Sequence, residues 1–409
     1  MIRRTIVGTI LIGILVLLAS CGSPKGEPQD VLEKVSQKDL EKGHIKLQLM
    51  EKVSIDARVT PYEKYKNGLN IYYMEPYVEN KDGLSITEFI RNPILFHQDM
   101  NQVTELIEKH SRGKFYMSKR KTKDLEDKIQ LLIPFKCQSG KEMNINCWWD
   151  INDKGQVVGT DFNFCPFGII DEYTKVGKGV FNSAPLYEER DFKFADGDTV
   201  AKEMRSLAEQ ITGRKISEDM YCVPISQELY DAVMDAQGED KEELPYPGEY
   251  YIVIMYFDID GFSWRFVNAS MSQKNGMKLK DDVVVDNGEL ICKNEWPLVG
   301  IYSAEGVMGL ELNSFLLPGK PYNEKQKVCM PNDIIEQIEA YFQNVLLKQP
   351  VTIYEISLVY DGYFTDPRDG IIENVIRPFW IVKYWDGEKA LKLVFDAYTG
   401  KFISRDNAY

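Results

Sequence analysis

The side chains able to act as nucleophiles, bases or ligands are few in kind: seven cysteines, three histidines, and 63 Asp and Glu against 49 Lys and Arg. His44, His97 and His110 form no HExxH pair, so zinc hydrolysis by that motif is unsupported. Neither a GxSxG elbow nor a GxxxxGK[ST] loop occurs, which removes the usual basis for serine-hydrolase or nucleotide chemistry. Ser118-Lys119-Arg120-Lys121 satisfies S-x-x-K, but it lies in a basic run from Lys114 to Lys123 and reads as a solvated loop. Asp150-Ile151-Asn152-Asp153-Lys154-Gly155 with Asp161 resembles a calcium loop in its first, third, sixth and twelfth positions. The fifth, however, is Lys154, whose ammonium repels the ion, and a strand follows where a helix is needed. Asp196-Gly197-Asp198, Asp258-Ile259-Asp260-Gly261 and Asp366-Pro367-Arg368-Asp369-Gly370 read first as turn and cap chemistry. No metal or cofactor site is expected.

Apart from Cys21, six cysteines remain: Cys137, Cys147, Cys165, Cys222, Cys292 and Cys329. An even count outside the cytoplasm permits disulfides. Pairing outward from turns near Ser139-Gly140 and Asp153-Lys154-Gly155 sets Cys137 near Glu142, Cys147 near Thr160 and Cys165 again near Glu142. Free thiols are therefore expected there, and buried small hydrophobes throughout. Trp148, Trp149, Trp264, Trp296, Trp380 and Trp385 lie in or beside expected strands. Exposed rings beside carboxylates can stack on sugars, but strand alternation lets only one of Trp148 and Trp149 face a core, and packing is the expected role.

The elements that must position these groups are mixed. Asp198 is placed to cap a helix over 199–212 with Val200, Met204, Leu207, Ala208 and Ile211 on one face and Gly213 as its stop. Asp333 and Glu336 form a capping-box pattern for a second helix, whose apolar face is Ile334, Ile335, Ile338, Phe342, Val345 and Leu346. Ser85-x-x-Glu88 opens a third helical region to about His110, interrupted at Pro93. Strands are expected over 45–49, 70–74, 128–135, 143–150, 156–164, 250–257, 263–270, 351–364, 373–384 and 389–396, with a hairpin at Asn287-Gly288. The layout predicts an α+β fold of several units, each a helix packed on a small antiparallel sheet: 44–190, 191–280 and 281–409.

The N-terminus supplies the address. Arg3 and Arg4 precede an uncharged, mostly aliphatic run from Ile6 to Leu18, then Ala19 and Ser20. As a helix the run reaches about 20 Å, short of a roughly 30 Å hydrocarbon core. Leu18-Ala19-Ser20-Cys21 resembles the lipobox of bacterial lipoproteins, which implies removal of residues 1–20 and a diacylglycerol on the Cys21 thiol. Residues 21–43 then form a lipidated tether. The formal charge of −14, made more negative by losing both arginines, disfavours nucleic acid as a partner.

At the other end, Pro378-Phe379-Trp380-Ile381-Val382 and Phe395-Asp396-Ala397-Tyr398-Thr399-Gly400-Lys401-Phe402-Ile403 resemble the end of a PepSY-type domain over roughly Pro331 to Ser404. Asp396 is placed to accept from the amides that follow, and Gly400 to reverse the chain. With the lipobox, the whole resembles lipoproteins of Gram-positive bacteria. That resemblance implies extracytoplasmic interaction or regulation, including restraint of peptidases or sensor kinases, with no catalytic residue to carry over. The expected function is a non-enzymatic module held on the cell membrane through Cys21, with an envelope protein as partner. The alternatives are solute or glycan binding and, behind them, a hydrolase built on paired carboxylates.

Overall fold

Alternation along the chain produces long strands. In Lys128–Cys137, Ile129, Leu131, Ile133 and Phe135 are buried while their neighbours are half-exposed, and Glu142–Ile151 repeats the pattern with Met143, Ile145, Cys147 and Trp149. The computed structural model describes residues 42–76, 84–115, 121–124, 128–151, 157–166, 191–237, 246–265, 270–272, 278–279, 284–286, 289–291, 298–314, 316–364, 371–372 and 374–407. All belong to one unit spanning Gln37–Tyr409.

Two large sheets dominate it. The first has eight strands, with β1 (His44–Met50), β2 (Val53–Val59), β14 (Val351–Phe364), β15 (Asn374–Trp385), β16 (Ala390–Asp396) and β17 (Phe402–Asn407) in spatial order. β3 (Tyr72–Pro76) also pairs with β15, and β13 (Leu316–Pro321) with β3. β2 runs parallel to β14; the other pairings are antiparallel. The second sheet has nine strands: β9 (Tyr221–Ile225), β10 (Tyr250–Met255), β11 (Leu298–Ser303), β12 (Gly306–Ser314), β8 (Val157–Pro166), β7 (Glu142–Ile151), β6 (Lys128–Cys137) and β4 (Gly113–Phe115), with β5 (Lys121–Asp124) also on β6.

The expected α+β array of small sheets is thereby corrected. The described chain is mostly β, and β2, β3 and β8 pair with strands distant in sequence, merging the supposed small sheets into two broad ones. Local periodicity identifies a strand and not its neighbour, because backbone hydrogen bonds carry no sequence label.

Among the described residues, five α-helices accompany these sheets: α1 (Ile86–Arg91), α2 (Met100–Ser111), α3 (Gly197–Thr212), α4 (Gln227–Gln237) and α5 (Pro331–Gln343). Ser85 and Glu88 form the capping box of α1, which ends before Pro93, and Asp99 caps α2. α3 is capped by Asp196, whose side chain accepts from Thr199 N at 2.8 Å, where Asp198 was expected. Gly213 stops α3 with φ 65°. α3 lies on the second sheet, with Met204 occupying the space that a side chain at Gly300 would need. α5 starts at Pro331, with Asp333 bonded back to Met330 N at 2.7 Å, and packs on the first sheet through Phe342 against Tyr384.

Candidate functional site

β14 and β15 turn opposite faces to opposite partners. Tyr384 and Trp380 meet α5 and the segment before it, Trp380 Nε1 donating to Cys329 O at 3.2 Å. Alternation then sends Lys383, and its cross-strand neighbour Glu355, to the other face, toward the second sheet. Two further elements arrive there. Ser217 and Asp219 lead into β9, whose Tyr221 is buried. The hairpin Asp258–Ile259/Phe262–Ser263 turns on Asp260 and Gly261, with φ 55° and 87°, the paired positive values of a tight two-residue loop. It delivers Ser263 and then Arg265, whose backbone N donates to Tyr360 O at 2.8 Å beside β14.

The result is a closed ionic cluster joining the sheets. Glu355 Oε1 accepts from Arg265 Nη1 and from Ser357 Oγ, both at 2.7 Å. Glu355 Oε2 accepts from Tyr221 OH at 2.8 Å and lies 3.3 Å from Lys383 Nζ, which also donates to Tyr221 OH at 2.6 Å. Arg265 also bonds Asp219 Oδ2 through Nη2 and Ser263 Oγ through Nε at 3.2 Å, and its guanidinium lies 5.1 Å from the Tyr256 ring and 5.5 Å from that of Tyr221. Burial alone raises a carboxyl pKa, but Arg265 and Lys383 outweigh it and hold Glu355 well below the usual range. Burial pushes the Lys383 ammonium down to about 7 against the pull of Glu355. A lysine so tuned has the basicity of a nucleophile or general base. It is 3% exposed, however, and its hydrogen bonds run to Tyr221 and Glu355, not to open space.

Above the cluster opens a cleft of about 160 Å³, walled by Arg58 to Pro61 and Lys64, Ser217, Asp219, Gly261 to Ser263, and Glu355 to Leu358. Elsewhere on β14, Asp361 is fully buried; its Oδ1 accepts from Gly362 N, its Oδ2 has no hydrogen-bond partner among the described residues, and burial pushes its carboxyl well above the usual range.

Of the residues singled out from sequence, the Asp258 to Gly261 turn borders this site, and the others lie elsewhere or outside the described residues. Cys21, Ser118, Trp296, Cys292, the Asp366 to Gly370 run and the Asn152 to Gly155 turn fall outside the described residues. His44 pairs with Asp56 at 3.1 Å on the first sheet, His97 sits at φ 67° in a turn before α2, and His110 Nδ1 meets Glu203 Oε1 at 2.8 Å. Asp150 pairs with Lys128, and Asp258 and Asp260 hold their turn and reach Lys215 and Tyr72. Cys137, Cys147, Cys165, Cys222 and Cys329 form no disulfide with one another. Trp149 and Trp380 are fully buried, with Trp149 edge-on to Phe89. Asp396 Oδ1 accepts from the amides of Tyr398 and Thr399 at 3.0 and 2.9 Å, Oδ2 bonds Arg377, and Gly400 has φ 68°. Asp219, Arg265, Glu355 and Lys383 had not been singled out.

No family model and no curated protein matches the chain. Among solved structures, an uncharacterized protein from Eubacterium rectale ATCC 33656 superposes with a TM-score of 0.52 at 14% identity, over 90% of this chain and 97% of that one. The two share a fold. The C-terminal domain of Bacillus megaterium YpeB matches with a TM-score of 0.29 at 7% identity, over 75% of this chain and 96% of that one.

Proposed function

We propose that the chain is a lipoprotein anchored through Cys21 on the outer face of the cytoplasmic membrane, where it serves as a non-enzymatic interaction or regulatory module. One observation carries the non-enzymatic part: Lys383 and Glu355, the charged pair closest in character to catalytic groups, are 3% and 4% exposed and bonded to each other and to Tyr221. Their role there is to join two sheets. The short apolar run ending at Leu18-Ala19-Ser20-Cys21 supports the anchor, and the Asp396 to Gly400 turn supports the PepSY resemblance. A second reading, solute binding, is favoured by the cleft, whose wall includes Arg58, Lys64 and Asp219; at about 160 Å³ it suits a small molecule and is too small for a glycan chain.

The test is expression of the full chain and of Cys21→Ala in a Gram-positive host, with a clickable palmitate analogue and an in-cell crosslinker. The expected outcome is label and membrane retention in the parent only, and one envelope protein crosslinked to the parent above a control lipoprotein. An unlabelled parent chain overturns the anchor. Crosslinking no different from the control overturns the interaction reading.

A further inference from the structure

Bonding capacity within the cleft is unevenly used. Glu355 is saturated by its four donors. Asp219 Oδ2 is engaged by Arg265 and by Ser263 Oγ at 3.0 Å, whereas Asp219 Oδ1 carries no bond among the described residues, and the side chain is 37% exposed. Thr60 Oγ1 accepts from Leu358 N at 2.8 Å and Ser217 Oγ from Asp219 N at 3.2 Å, so both hydroxyl protons remain uncommitted there. Arg58 and Lys64 line the same cleft, and among the described residues neither side chain has a hydrogen-bond or ion-pair partner.

We propose that this cleft binds a small zwitterion of the α-amino-acid type, its carboxylate held by Arg58, Lys64 and the Thr60 and Ser217 hydroxyls, its ammonium by Asp219. The inference rests on the solute-binding reading. Charge selects the class. A phosphate dianion meets two carboxylates in the wall, a bare amine meets the two cations, and a bare carboxylate leaves Asp219 Oδ1 without a donor. A molecule carrying both charges on neighbouring carbons answers each. The volume, about ten water-sized positions, holds an amino acid with a small side chain.

Calorimetric titration of the detergent-solubilised full chain with glycine, L-alanine, acetate, methylammonium chloride and inorganic phosphate decides the matter. The amino acids are expected to bind at least tenfold more tightly than acetate, methylammonium or phosphate. The double variant Arg58→Gln/Lys64→Gln is expected to lose at least tenfold in amino-acid affinity at an unchanged unfolding midpoint, since neither side chain supports the fold. Acetate or phosphate binding as well as the amino acids, and lost in the double variant, overturns the zwitterion and leaves the cleft a solute site. Amino-acid binding undiminished in that variant overturns the cleft as its location. Absence of binding by every probe overturns both the zwitterion and the solute-binding reading.

Discussion

Among the described residues Glu355 is the carboxylate in contact with both Arg265 and Lys383, so its neutralisation leaves buried Lys383 without a charged partner and Arg265 with Asp219 alone. Breaking a buried pair from one side costs about 3–5 kcal/mol, because the remaining charge keeps its desolvation penalty and loses its compensation. Glu355→Gln is therefore expected to lose about that much in urea unfolding; a loss below 1 kcal/mol would show that the cluster is hydrated and loose. Part of this site was visible in the sequence. Glu355 interrupts the apolar run from Val351 to Tyr360, and Lys383 interrupts Phe379 to Trp385, and a lone charge inside a buried strand must find a partner. What was hidden is who the partner is. Glu355 and Lys383 meet only once β14 and β15 are in register, and Arg265 reaches them from a separate hairpin. Cys147 shows the same limit. It faces Phe162 and not Thr160, because the β7/β8 ladder shifts between Val158 and Asp161, an irregularity that counting outward from a turn does not contain.

Helix starts expose the competition between two candidate caps. Asp196 and Asp198 both precede the apolar stripe of α3, but Asp196 holds extended backbone and bonds Thr199 N, while Asp198 lies inside the first turn. Asp196→Ala is expected to cost about 1 kcal/mol in thermal unfolding. Asp198→Ala should change stability by well under half that, and the reverse ranking would refute the cap assignment. The periodic stretches of α3 and α5 were legible, because a face such as Ile334, Ile335, Ile338 and Phe342 has only one burial geometry, but α5 stops at Gln343, and Val345 and Leu346, expected on the same face, are exposed. α4 was overlooked although Tyr230, Val233 and Met234 repeat at helical spacing after Ser226, whose Oγ accepts from Leu229 N at 3.3 Å. The strands at 221–225, 298–303, 306–314 and 316–321 were missed as well. β11 is buried on consecutive residues, which erases the alternation by which a half-exposed strand is recognised.

At the scale of the molecule, β2 covers the edge of β14 over Val351–Ile356. Removing residues 44–59 strips that cover and leaves a long apolar strand with free backbone groups. Such a chain is expected to sediment as aggregates and to lose its cooperative melting transition, whereas a monomeric profile with an unchanged midpoint would mean that β2 is dispensable. The same pairing joins Ser54 to Thr352, 298 residues away in the chain. Synthesis proceeds at about 5–20 residues per second, so an early strand waits on the order of 15–60 s for its partner to emerge. During that interval β1 and β2 exist as a hairpin without the sheet that will hold them, and a short hairpin is only marginally stable in water. Assembly of the first sheet is thus a late event, which waits on strands near the C-terminal end of the chain.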